Sequence, residues 1–163
     1  MTFHRVSRSG IAAFASLTLM AGLGLAPARA AEVPENISDT LAEAAQICRA
    51  IGGKPDTDAI LSNEDLNGDG KADWVADFAR FKCDGARNPL CNDIGCTLQL
   101  YFFDGVSYWD LVFEDFVKSY KFSSSGSTHT MHVTTSGLPC NKPAEETCAF
   151  NYRLDKDAVT PVR

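Results

Sequence analysis

The chain carries 163 residues, with 15 Lys and Arg against 21 Asp and Glu and a formal charge of −6. That acidic balance argues against nucleic acid as a partner, because neutralisation of phosphates by Lys and Arg supplies most of the affinity there. It is compatible with cations or a basic partner, and the length suits one domain with one core.

Arg5 and Arg8 precede an apolar run from Ile11 to Ala26, and Ala28-Arg29-Ala30 supplies a small-x-small cleavage pattern, so residues 1–30 read as a signal peptide. The run is shorter than the roughly 20 residues a membrane-spanning helix needs. The expected product is therefore a single domain, residues 31–163, located in the periplasm or outside the cell and not spanning a membrane. A retained anchor is the competing reading. The leader holds three Arg and no acid, which leaves 12 basic against 21 acidic residues and a charge of −9 in the remainder.

The first predicted element is an amphipathic helix. Ile37, Leu41, Ala44, Cys48 and Ile51 recur at spacings of four and three, which puts them on one stripe. Ser38 or Thr40 is the expected cap, Thr40 with Glu43 forming a capping-box pattern, and Gly52-Gly53 ends the run. Lys54-Pro55-Asp56 reads as a turn, and Asp58 to Ser62 as a short strand.

Next comes Asp65-Leu66-Asn67-Gly68-Asp69-Gly70-Lys71-Ala72-Asp73. Oxygen-bearing side chains at Asp65, Asn67 and Asp69 alternate along a stretch that Gly68 and Gly70 allow to curl, so that several oxygens can converge on a hard cation. Calcium is the expected ion, with the Lys71 carbonyl and Asp73 completing the set. The position where a helix-flanked calcium loop needs a bidentate Glu is Ala76, so this is not an intact EF-hand. An ion-free tight turn is the alternative, since Asn, Asp and Gly all tolerate positive φ. Three carboxylates in one short loop repel one another unless a cation neutralises them, which favours calcium. The strand from Ala72 to about Phe81, with Trp74, Ala76 and Phe78 alternating against Asp73, Val75 and Asp77, would pair with the short strand before the loop.

The run DLNGDGKADWV resembles the calcium loop of FG-GAP/VCBS-type repeats, in which Asp-x-Asn-x-Asp-Gly-x-x-Asp joins two antiparallel strands. The resemblance covers about a dozen residues in one copy, whereas a propeller needs several blades, so it implies the loop and not the propeller. The wider order of leader, helix, acidic loop, paired cysteines and aromatic strands resembles small secreted bacterial proteins and implies no mechanism.

The six cysteines, 48, 83, 91, 96, 140 and 148, form an even set in a chain read as exported, which implies disulfides. Loop proximity suggests Cys91 with Cys96 and Cys140 with Cys148, leaving Cys48 with Cys83. Zinc is disfavoured, because no tight Cys-x-x-Cys pair is present. The turn-rich segment from Asp84 to Pro89, pinned between cysteines, is either a recognition loop or a restrained connection.

The second half is a series of strands: Thr97 to Phe103, Tyr108 to Phe113 after an Asp104-Gly105 turn, Lys118 to Ser123, His129 to Thr135, and Cys148 to Leu154. Strands joined by short turns indicate an antiparallel meander. The expected class is α+β, mostly an antiparallel β meander with one N-terminal helix packed on the sheet and disulfides stabilising it.

No catalytic constellation stands out. His129 and His132, three apart on a strand, face opposite sides, and adjacent Glu114 and Asp115 diverge in the same way. The Ser-rich stretch 123–127 lacks a Gly-x-Ser-x-Gly elbow. Tyr101, Phe103, Tyr108, Trp109 and Tyr120 either fill the core or form an exposed aromatic face for a protein or carbohydrate partner. The expected function is an exported calcium-binding structural or interaction module. A periplasmic inhibitor or adaptor of an envelope enzyme and a small secreted hydrolase are the alternatives.

Overall fold

The computed structural model describes residues 32–162, and the signal-peptide expectation for residues 1–30 lies outside them. The first element is α1 (Glu35–Ala50). Its entry differs from the capping-box expectation: Pro34 is the cap, and its carbonyl accepts from the amides of Ile37 and Ser38 with no side-chain cap bond. Proline suits that place because its φ is already near the helical value and its missing N–H has no partner to lose. Thr40 instead lies one turn inside, its hydroxyl donating to the Asn36 carbonyl 3.1 Å away.

Ten strands follow: β1 (Lys54–Asp56), β2 (Leu61–Glu64), β3 (Asp73–Asp77), β4 (Lys82–Asp84), β5 (Cys96–Phe103), β6 (Trp109–Val117), β7 (Ser119–Ser125), β8 (Thr128–Ser136), β9 (Thr147–Asp155) and β10 (Ala158–Val162). All pairings are antiparallel. Instead of one meander there are two four-stranded sheets, ordered β2-β3-β5-β6 and β10-β9-β8-β7, and a small β1-β4 ribbon.

The central strands β3 and β5 explain the division. All five residues of β3 are buried, as are Leu98 to Phe102 of β5, so both faces of the first sheet are covered. Trp74, Ala76 and Tyr101 share a buried cluster with Ile37, Ala44 and Cys48 of α1. Val75, Leu98, Leu100 and Phe102, pointing the other way by the two-residue period of a strand, share a second cluster with Met131, Val133 and Leu154 of the second sheet. A single meander could not have covered both faces.

The cysteines pair as Cys48–Cys83, Cys91–Cys96 and Cys140–Cys148. The first joins α1 to β4, and it accounts for a missed element. Lys54-Pro55-Asp56, expected as a turn, is strand β1, with Pro55 opposite Cys83. The terminal strand β10 was also unforeseen; it contains Pro161 and lies at a sheet edge, where a residue without an amide proton is tolerated. No helix among the described residues is long and apolar enough to cross a membrane.

Candidate functional site

The acidic loop joins β2 to β3, which pair from Leu61 opposite Ala76 to Glu64 opposite Asp73. It therefore closes a hairpin, as its sequence indicates. Gly68 and Gly70 stand at φ of +80° and +82°, the left-handed region that glycine enters without strain, and these two residues turn the chain.

Within the curl, side-chain oxygens accept from the loop's own amides. Asp65 takes the N–H of Gly68 on Oδ1 at 2.8 Å and that of Gly70 on Oδ2 at 3.0 Å. Asn67 Oδ1 takes the Asp69 amide at 3.0 Å, and Asp69 Oδ1 the Lys71 amide at 2.8 Å. The Asn67 and Asp69 bonds, each to the amide two residues on, are successive Asx turns, and the Asp65 bonds close the wider curl around them.

Asp73 differs from the others because it is fully buried. Its Oδ2 accepts from the Leu66 amide at 3.0 Å and its Oδ1 from the Phe103 amide at 3.3 Å, so one carboxylate joins the loop to the end of β5. Burial pushes its pKa up to about 6; the two amide bonds oppose the rise, and the Asp69 and Asp65 carboxylates add to it. A cation beside it would oppose the rise, because opposite charge favours the ionised form.

Two contacts that the sequence does not announce tie the loop to the second sheet. Asn67, itself buried, donates from Nδ2 to the Lys156 carbonyl in the β9–β10 turn at 2.9 Å. The imidazole of His129, from the start of β8, stands against the α-carbon of Gly68. A cleft of about 200 Å³ opens there, lined by Asp65, Phe122, Ser124 and His129 among others. No local pattern links residue 68 to residue 129; only the packing of the sheets brings them together. His132, on the other side of the strand, bonds Asn151 Oδ1 through Nδ1 at 2.8 Å.

The loop's donors are oxygens throughout, the chemistry a hard cation takes, and a carboxylate oxygen that accepts one N–H keeps a second lone pair. The residues present therefore fit calcium in donor type. Among the described residues, however, no three His, Cys, Asp or Glu side chains are grouped so as to hold an ion by themselves. Asn67 and the Lys71 carbonyl fall outside that set. Among the described residues, ion pairs use Asp77, Asp56, Asp93 and Asp155, and none uses Asp65, Asp69 or Asp73.

The aromatic residues do not collect on one exposed face. Tyr101 is buried, Trp109 packs beside Phe103 with ring centroids 4.8 Å apart, and Tyr120 lies against the inter-sheet cluster, whereas Tyr108 is half exposed. In comparison with known proteins, the chain matches no family model, no curated protein and no solved structure.

Proposed function

We propose that the chain is an exported calcium-binding module whose ion holds the hairpin loop in place between two sheets. Asp65, Asn67, Asp69, the Lys71 carbonyl and Asp73 would hold the calcium. The observation that carries the reading is the uncompensated charge of the loop: three carboxylates, one of them fully buried, with no Lys or Arg paired to them among the described residues. Burying such a group costs free energy unless something neutralises it.

The position of the loop favours a structural role. Asp73 reaches β5 and Asn67 reaches the β9–β10 turn, so an ion that orders this loop also strengthens its attachments to both sheets. Binding only to the folded state would stabilise the fold in proportion to the logarithm of free calcium. Three disulfides accord with an oxidising, exported setting.

Calorimetric titration of residues 31–163 tests the reading. The expected dissociation constant is on the order of 10⁻⁴–10⁻³ M, the range of extracellular modules. Asp69→Ala should abolish the heat; identical heats from both proteins would remove calcium from the account.

A further inference from the structure

A second site lies along the flank of α1. Glu35, Asp39, Glu43 and Ile47 recur every four residues and so stack along one side of the helix. Two clefts open beside them, bounded opposite by β5, β6 and the turn between those strands. One, of about 410 Å³, brings Glu35 and Asp39 to Tyr108 and Trp109. The other, of about 200 Å³, brings Glu43 and Ile47 to Gln99 and Glu114 over a floor that includes Ala44, Phe78 and Leu90. No Lys or Arg lines either cleft among the described residues.

Glu114 is held in place. Its Oε2 accepts from Nε2 of the buried Gln99, whose Oε1 accepts from the buried Tyr101 hydroxyl at 2.8 Å; that hydroxyl also lies 3.2 Å from Thr40 Oγ1 on α1. A chain of hydrogen-bonded polar groups, Gln99 and Tyr101 among them buried, thus runs from the helix to one carboxylate at the cleft mouth. A charge already ordered in this way loses less conformational freedom when a partner arrives. Beside it the surface is apolar: Leu111, opposite Tyr101 in the β5–β6 pairing, is 49% exposed, and Tyr108 is 50% exposed.

We infer that this flank of α1, with its two clefts forming a grooved surface, docks an extended basic segment of a partner protein, one in which Lys or Arg alternate with apolar residues. Four carboxylates select the positive charge, and the exposed Leu111, Tyr108 and Ile47 favour a chain with apolar side chains over a bare polyamine. A second copy of this acidic protein would bring like charge to like. None of the groove residues belongs to the loop 65–73, so the inference goes beyond the calcium reading and does not rest on it.

The test uses residues 31–163 at low salt, in chelator and again in calcium, with a short synthetic peptide of alternating lysine and leucine as the probe. Its glutamate–leucine counterpart and spermine are the comparisons. The expected result is binding of the lysine peptide, with amide NMR shifts confined to α1, β5 and β6 in both buffers. Glu43→Gln with Glu114→Gln should weaken it by roughly tenfold, as the loss of two ion pairs implies. Asp84→Asn with Glu145→Gln changes net charge equally at exposed positions outside the groove and should leave the affinity unchanged. The inference is overturned if the peptide does not bind, if spermine binds as tightly, if shifts appear elsewhere, or if the two double variants lose affinity equally. Circular dichroism of each variant separates a lost contact from a lost fold.

Discussion

The imidazole of His129 occupies the space that a side chain at Gly68 would need: a β-carbon built on Gly68 collides with its Nε2. Gly70, two residues on, has nearly the same backbone angle, and a β-carbon there meets nothing within 4 Å. The two glycines of one turn therefore answer to different constraints. One serves backbone conformation alone; the other also admits the second sheet to the loop.

Substitution separates these roles. Gly70→Ala should cost about 1 kcal/mol, the usual penalty for a left-handed alanine, and Gly68→Ala about 1–3 kcal/mol because the imidazole must also move. Removing the ring with His129→Ala in the Gly68→Ala background should bring the cost of the first change down to that of Gly70→Ala. Urea midpoints of the four proteins form the cycle, and equal costs at the two glycines would show that the contact carries no energy.

Asp73 makes stability depend on pH in the direction opposite to most carboxylates. Its pKa is raised from 3.8 to about 6 by burial, so the folded state holds the proton more firmly than the unfolded state. The contribution is therefore fully present below about pH 4 and declines as pH rises through about 6, by on the order of 1–3 kcal/mol in chelator. Calcium in the millimolar range should flatten the decline. Denaturant midpoints between pH 4 and pH 7 measure it, and a midpoint that rises over this interval by the same amount in wild type and Asp73→Asn would contradict the assignment.

Tyr120 sets a second limit at the alkaline end. Its hydroxyl donates to Asp77 Oδ2 at 3.2 Å, and burial followed by the Asp77 charge pushes its pKa up to about 12. Because the folded state keeps this proton longer, the stabilisation is complete below pH 10 and is lost as pH approaches 12. Tyrosinate absorbance should show a step near pH 12 that is absent in Tyr120→Phe, beside the steps of Tyr101 and Tyr152, which burial also raises. That variant should lose about 1 kcal/mol at neutral pH, since Asp77 retains the Ala79 amide and Arg80.

The disulfides should rank by the chain they enclose. Cys48 and Cys83 are 35 residues apart, whereas Cys91 and Cys96 are 5 apart. Replacing the first pair with alanine should cost roughly 2–4 kcal/mol and the second distinctly less. Thermal melts of the two double variants test the order. Loss of the first pair should also expose the β1–β4 ribbon to amide exchange, because Pro55 is held opposite Cys83.

Much of this was readable from local pattern. The alternation of Trp74 and Ala76 with Val75 marks β3, Asp104-Gly105 marks a turn, and Gly68 and Gly70 mark the curl of the acidic loop. Each signal acts over a few residues, through side-chain period or backbone sterics, and so survives reading one residue at a time. Cysteine proximity also indicated the three pairs that form. The short strand at Lys54, by contrast, carries a turn-like sequence and is a strand because a distant segment hydrogen-bonds to it.

By itself, then, the sequence determined the class of the protein, its antiparallel strands and the helix that precedes them among the described residues, its oxidised cysteines and the place of its acidic loop, because period, turn chemistry and cysteine spacing are local properties. Tertiary structure alone decided that the strands divide into two sheets, that Asp73 is buried against Phe103, that Asn67 reaches Lys156 and that His129 covers Gly68. Those outcomes depend on which buried face meets which. That choice rests on the summed burial of residues far apart in the chain, a quantity that no short window of sequence contains.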